Sequence, residues 1–159
     1  KIKIKIGNVE IGAGAPVSIQ SMTNTKTDDT VSTLKQIEEL AKAGCEIIRV
    51  AVLNKECASA LGEIVKYSPI PVVADIHFDY RLALIAIDKG INALRLNPGN
   101  IGKIEHTMKV VESAKAASVP IRIGINAGSL EKDLYEDKTK PLEDKMIISA
   151  NRHIKILED

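Results

Sequence analysis

The chain has 159 residues, of which 45% are hydrophobic and 27% are charged, and its formal net charge is +1. This size predicts one globular domain, and the near-neutral charge gives no reason to expect nucleic acid or a membrane surface as a partner. No stretch reaches the ~20 apolar residues of a membrane span, and the first residues lack the apolar segment of a signal peptide. Because Cys45 and Cys57 form no Cys-x-x-Cys pair, we expect reduced thiols in a cytoplasmic protein.

The N-terminal segment predicts a short β-hairpin. Isoleucine alternates with lysine up to Ile6, Gly7 and Asn8 follow, and Val9 and Ile11 continue the alternation. Such alternation is typical of strands with one buried face, and a Gly-Asn pair between them is typical of a tight turn. We expect this hairpin to form a lid or plug on a larger domain.

A series of five βα units follows the hairpin. Short strands rich in Val and Ile alternate with segments whose apolar residues fall at helical spacing, which predicts parallel strands and right-handed crossovers. The predicted strands are 17–20, 46–52, 71–76, 93–97 and 120–126. The predicted helices begin near Asp28–Asp29, Lys55, Asp79, Lys103 and Leu142.

Two architectures accommodate these units. A doubly wound, flavodoxin-like sheet would be complete at this length, whereas a (β/α)8 barrel needs ~250 residues. Doubly wound strands are covered on both faces and should be apolar throughout. Here a strand period of two places polar residues on one face in three sets: Asp75 and His77; Arg95 and Asn97; and Arg122, Gly124 and Asn126. We therefore predict an α/β fold, a partial (β/α)8 TIM barrel of about five βα units preceded by the hairpin.

Three arginines are the strongest functional signal. Arg49, Arg95 and Arg122 lie on three predicted strands near the ends where barrels bind ligands. A buried guanidinium needs an anionic partner, and arginine binds phosphate oxygens in a bidentate way. Three of them could surround a diphosphate. Equally, each could pair with a carboxylate inside the barrel, Glu46 and Asp75 being the candidates. The residues alone leave both interpretations open.

Other polar groups accompany the arginines. Asp75 and His77 face the same way at a strand end, where they could orient a substrate hydroxyl or exchange a proton, although two ligands are too few for a metal site. Asn97 and Asn126 begin Gly-rich turns whose N–H groups could hold an anion, but ligand-free tight turns look the same. The polar loop 20–25 is a weaker signal of the same kind.

Five segments in this order resemble signature segments of the 4-hydroxy-3-methylbut-2-enyl diphosphate synthase family: 18–25, 43–52, 73–79, 94–102 and 120–131. The resemblance extends from Val17 to the last helix. It implies an oxidoreductase that converts 2-C-methyl-D-erythritol 2,4-cyclodiphosphate to hydroxymethylbutenyl diphosphate by two-electron reductive ring opening. It also implies a 4Fe–4S cluster, ferredoxin or flavodoxin as electron donor, and a homodimer in the full-length form.

The resemblance assigns roles within this chain. It implies that Arg49, Arg95 and Arg122 bind the substrate diphosphate together with Asn97 and Asn126, and that Asp75 and His77 are catalytic groups that orient the substrate. The family's cluster ligands lie in a separate C-terminal domain, and neither cysteine here matches a ligand motif. We therefore expect residues 1–159 to be the N-terminal part of the barrel, to bind no cluster or metal, and to be inactive alone.

Two alternatives stay open. Pterin-binding barrels of the dihydropteroate synthase type also carry a polar loop after the first strand and Asp, Asn and Arg at strand ends. A pterin ligand would distinguish them from the diphosphate-binding family. A non-catalytic, flavodoxin-like binding domain would instead be a complete five-stranded sheet, and it would unfold cooperatively as a monomer.

Overall fold

The computed structural model describes residues 2–158, except for the side chains of residues 98, 99 and 129. Lys1 of the predicted hairpin and Asp159 lie outside this range. The strands are β1 (Ile4–Ile6), β2 (Val9–Ile11), β3 (Gln20–Met22), β4 (Ile47–Val52), β5 (Val72–Ile76), β6 (Ala93–Leu96) and β7 (Ile121–Ile123). The helices are α1 (Thr30–Lys42), α2 (Lys55–Tyr67), α3 (Tyr80–Asp88), α4 (Pro98–Ile101), α5 (Ile104–Ala116), α6 (Lys132–Glu136) and α7 (Leu142–Glu158).

The main sheet is five-stranded and parallel, with its strands in the order β3-β4-β5-β6-β7. Because crossovers are right-handed, a consecutive strand order places all crossover helices on the same face of the sheet. A doubly wound sheet reverses its order part-way and carries helices on both faces. The observed order therefore confirms the partial TIM barrel. It excludes the flavodoxin-like alternative, whose strand order would reverse part-way.

The outer face of the sheet forms the main hydrophobic core with the helices. On β4 this face consists of Ile48, Val50 and Val52, all fully buried. They pack in one cluster with residues such as Leu61 and Ile64 of α2. Strand alternation explains the arrangement, since every second residue of a strand faces the same side.

The inner face of the sheet is covered at its amino end by the hairpin. Ile47 and Val73 on this face pack against Ile6, which confirms that the hairpin plugs a larger domain. Strands β1 and β2 are antiparallel, and Ile6 pairs with Val9 across a two-residue turn. Gly7 opens that turn with φ at 58°, a left-handed conformation that glycine adopts without strain.

Side-chain caps fix where the crossover helices begin. Asp29 accepts a hydrogen bond from the Ser32 N–H at the start of α1, and Asp79 accepts one from Arg81 at the start of α3. Both caps match the sequence-based expectation. Within residues 2–158, none of the helices combines the length and apolar character that a membrane span requires.

Candidate functional site

The predicted polar residues meet on the inner face of the sheet, towards its carboxyl end. In the strand register Asp75 lies beside Arg95, and Arg95 lies beside Arg122. Arg49 lies beside Met22 and Val73, two residues below the level of Asp75. Neighbours in a parallel register face the same side, so the four strands β4 to β7 bring these four polar side chains to one surface.

Asp75 is the centre of this cluster. Its side chain is 5% exposed, and its Oδ1 accepts a hydrogen bond of 3.1 Å from Nη1 of Arg95. Its Oδ2 lies 3.4 Å from Nε of Arg49. Of the two candidate carboxylates, Asp75 therefore pairs with two arginines. Glu46 is used elsewhere, since its Oε2 accepts the backbone N–H of Ile19 at 2.8 Å.

The cluster keeps an excess of positive charge. Three guanidinium groups face one carboxylate, and the described partner of Arg122 is the neutral Oε1 of Gln20, at 3.4 Å. Counting these four charged side chains leaves a net charge of +2. Guanidinium groups held in place by one carboxylate, with donors still directed to the site, are suited to binding a multiply charged anion such as a phosphate.

His77 lies beside Asp75, one residue beyond the end of β5. Its Nε2 is 3.8 Å from Oδ2 of Asp75, and about a third of its side chain is exposed. The adjacent Phe78 ring lies 6.0 Å away, between centroids, and is exposed. An imidazole next to a buried carboxylate and open to solvent can donate or accept a proton towards a bound molecule.

The two predicted asparagines lie in turns at the same end of the barrel. Asn97 follows β6 and is buried, and its backbone carbonyl accepts the Asn100 N–H at 2.9 Å. Asn126 uses Oδ1 to accept the Gly128 N–H at 2.7 Å, which caps the single 3₁₀ turn Ala127–Ser129. Each turn is thus built partly by its own asparagine, and contact with a ligand stays a prediction.

The polar loop after β3 is mainly held by α1. Asn24 and Gln36 form two hydrogen bonds, and the Thr25 and Thr33 hydroxyls are 2.7 Å apart. Two other residues of this region reach the arginines: Gln20 contacts Arg122, and the sulfur of Met22 accepts from Nε of Arg49 at 3.3 Å. Both belong to the polar loop 20–25 singled out from the sequence, but their place on the inner face was not predicted, although their alternation along one strand would have indicated it.

The described residues do not fit a resident iron–sulfur cluster. Cys45 and Cys57 are both buried and free, one before β4 and the other in α2. Among residues 2–158, no group of three or more His, Cys, Asp and Glu side chains is placed to hold a metal ion. A cluster needs several thiolates around one position, and these two cysteines do not provide them.

The family model described as GcpE TIM-barrel domain matches residues 1–159. Among curated relatives, a 4-hydroxy-3-methylbut-2-en-1-yl diphosphate synthase (flavodoxin) of Clostridium perfringens is 54% identical over 99% of this chain. Proteins of the same name from Fusobacterium nucleatum and Geobacter sulfurreducens are 52% and 54% identical. The chain spans 44–45% of the length of these three relatives.

Solved structures that resemble the chain are TIM barrels. A Yersinia pestis DHPS with a pterine–sulfa conjugate superimposes with a TM-score of 0.68 over 98% of this chain and 60% of that chain. A 7,8-dihydropteroate synthase from Vibrio fischeri gives a TM-score of 0.58. Their sequence identities of 11% and 14% limit this likeness to the fold, so it does not favour a pterin ligand here.

Proposed function

The chain belongs to the GcpE TIM-barrel domain family, and from this premise we propose that it is the N-terminal, substrate-binding barrel part of a 4-hydroxy-3-methylbut-2-en-1-yl diphosphate synthase. The observation that carries the proposal is the excess positive charge of Arg49, Arg95 and Arg122 around the buried Asp75. Barrels bind ligands at this end of their strands. The names of the relatives support a diphosphate as the anion that this site binds.

In the proposed reaction a cyclic diphosphate, 2-C-methyl-D-erythritol 2,4-cyclodiphosphate, takes up two electrons and two protons, its ring opens, and one water is lost. The three arginines hold the diphosphate, which is the leaving end of the opened C–O bond, and their charge stabilises the negative charge that develops there. Asp75 keeps Arg49 and Arg95 directed to the site. His77, beside that carboxylate, orients a substrate hydroxyl and exchanges its proton. Asn97 and Asn126 border the same space.

We assign the redox chemistry to a part of the protein outside this chain. The two cysteines do not fit a cluster, so the 4Fe–4S centre belongs, in this proposal, to a separate C-terminal domain. The relatives' name supports flavodoxin as the electron donor, with ferredoxin as the other candidate. The full-length protein would act as a homodimer in the cytoplasm, and residues 1–159 alone would bind substrate groups without turnover.

Calorimetric titration of the full-length protein with the cyclic diphosphate tests the arginine assignment. Arg95→Ala and Arg122→Ala should each weaken binding by roughly tenfold to a hundredfold, the usual cost of losing a hydrogen bond to a charged group. Arg152→Ala is the matched control, because Arg152 lies on α7 and pairs with Asp133 at 2.7 Å.

Two results would contradict the proposal. One is unchanged affinity in both Arg95→Ala and Arg122→Ala. The other is binding of a pterin in place of the cyclic diphosphate, which would restore the dihydropteroate synthase-like alternative.

A further inference from the structure

Gly124, one residue after β7, lies directly against the guanidinium of Arg95. Its N–H donates to the carbonyl of Leu96 at 2.7 Å, so β7 and β6 stay paired at this level. A Cβ built on Gly124 would overlap Nε, Nη2 and Cζ of Arg95. The guanidinium therefore occupies the volume that any side chain at position 124 would fill.

The backbone does not explain a glycine at this position. Gly44 and Gly90, which end α1 and α3, have φ of 99° and 81°, and a Cβ there would meet nothing within 4 Å. Those glycines serve the left-handed conformation. Gly124 is not among the positive-φ glycines, so other residues could adopt its backbone conformation. What glycine supplies at position 124 is space.

We propose that Gly124 is a positioning residue of the anion site: its missing side chain forms the slot that holds the Arg95 guanidinium. Asp75 holds the same group from the opposite side through Nη1 of Arg95, at 3.1 Å. Asp75 lies on β5 and Gly124 directly follows β7, and these are the two strands that flank β6. The Arg95 guanidinium thus lies between the Asp75 carboxylate, which binds it, and the Gly124 backbone, which has no side chain to displace it.

The proposal rests on the proposed function only for the identity of the anion. A glycine-to-alanine change at an ordinary φ stabilises a protein, because it restricts the unfolded chain. At position 124 the overlap with Arg95 opposes this gain. The guanidinium has to leave the slot, which moves it away from Asp75 and from the site.

The test is a double-mutant cycle in the full-length protein, with inorganic pyrophosphate as the probe. Gly124→Ala should weaken pyrophosphate binding by about tenfold or more, as for a lost hydrogen bond to a charged group. In the Arg95→Ala background the same change should have no further effect, because the slot is already empty. The Arg95 Nε–H resonance, assigned by its loss in Arg95→Ala, should also shift in Gly124→Ala.

Gly62→Ala is the control. Gly62 lies in α2, has an ordinary φ, and would place its Cβ 3.3 Å from a methylene of Lys89, away from the arginines. It should change neither pyrophosphate affinity nor the Arg95 resonance. Wild-type affinity in Gly124→Ala would overturn the proposal. The proposal would also be overturned if Gly124→Ala lowered pyrophosphate affinity equally in the wild-type and Arg95→Ala backgrounds, because the change would then act through the backbone.

The same variants separate this inference from the proposed function. If the wild-type protein fails to bind pyrophosphate, the anion site is refuted, and the cycle is then measured on unfolding in urea. Gly124→Ala should lower the urea midpoint when Arg95 is present and raise it in the Arg95→Ala background. The same shift in both backgrounds would refute the slot.

Discussion

Asp75 determines how two of the three arginines are held. It is buried, and it contacts one guanidinium through each carboxylate oxygen. A buried charge is costly without partners, and removing one member of such a pair leaves the others uncompensated. The carboxylate also sets the charge of the site, since it cancels one of three positive charges and leaves two that could pair with the proposed anion.

Asp75→Asn should therefore destabilise the full-length protein by about 3 kcal/mol, the lower end of the cost of breaking a buried ion pair. Added pyrophosphate should recover more stability in this variant than in the wild type, because the anion replaces the lost charge. Urea unfolding with and without pyrophosphate measures both effects. Asp88→Asn is the control, since Asp88 is 77% exposed and 3.6 Å from Lys89. The prediction would be contradicted if Asp75→Asn lowered the free energy of unfolding by no more than Asp88→Asn does.

Much of this site could be predicted from alternation along the strands. A period of two placed Asp75, Arg95 and Arg122 on inner faces, and Arg49 joined them as the arginine of another strand. The choice between Asp75 and Glu46 as the arginine partner could not be predicted. It depends on strand register, which puts Asp75 beside Arg95, and on a backbone N–H that engages Glu46. Strand register is set by packing between neighbouring strands, so it cannot be read from the residues of one strand alone.

At the scale of elements, the predicted units are confirmed, but some boundaries differ. The first barrel strand was expected at 17–20, whereas β3 spans Gln20–Met22. The strand β3 is defined by its pairing with β4, and this pairing begins only where Gln20 meets Ile47. Val17 lies before the paired residues and is 95% exposed, although it is apolar. Hydrophobicity alone therefore misplaced the strand. The five-residue helix α6 is not among the predicted elements, because it is too short for helical periodicity to be recognised.

A buried histidine of α7 contacts a partly buried glutamate at the start of α6. His153 of α7 is buried, and its Nε2 lies 3.3 Å from Oε1 of Glu131, at the start of α6. Burial lowers the pKa of His153 below its usual 6.5, an effect that Glu131 opposes and Arg152 reinforces. The imidazole is therefore harder to protonate in the folded protein than in the unfolded chain.

This lowered pKa predicts a loss of stability on acidification. As the pH falls through about 6.5, the unfolded chain takes up a proton at His153 before the folded protein does. The free energy of unfolding should therefore fall from this pH down to the folded-state pKa. His153→Gln should flatten that slope between about pH 7 and pH 5, measured as the urea midpoint against pH. An unchanged slope in His153→Gln would count against the prediction.

At the scale of the whole molecule, the described sheet has two open edges. Within residues 2–158, β3 pairs with β4 alone and β7 with β6 alone. Between the hairpin and the inner face lies a cavity of about 200 Å³ with mostly apolar walls, which include Ile4, Ile11 and Val73. A closed barrel has neither feature, because its strands pair all round and its interior is filled by side chains. The relatives, more than twice as long, have enough additional chain to complete one.

Residues 1–159 produced alone should therefore self-associate, since unpaired parallel edges and exposed apolar surface promote pairing between copies. Sedimentation velocity should show an average mass that rises across the micromolar to millimolar range. Val17→Lys adds a charge three residues before the edge strand β3 and should shift this association to higher concentration. Tyr67→Lys is the matched control, because Tyr67 is 60% exposed but ends α2, a helix that packs between α1 and α3 and not at the open edge. A monomer at every concentration, or an equal response to both lysines, would show that the open edge does not drive association.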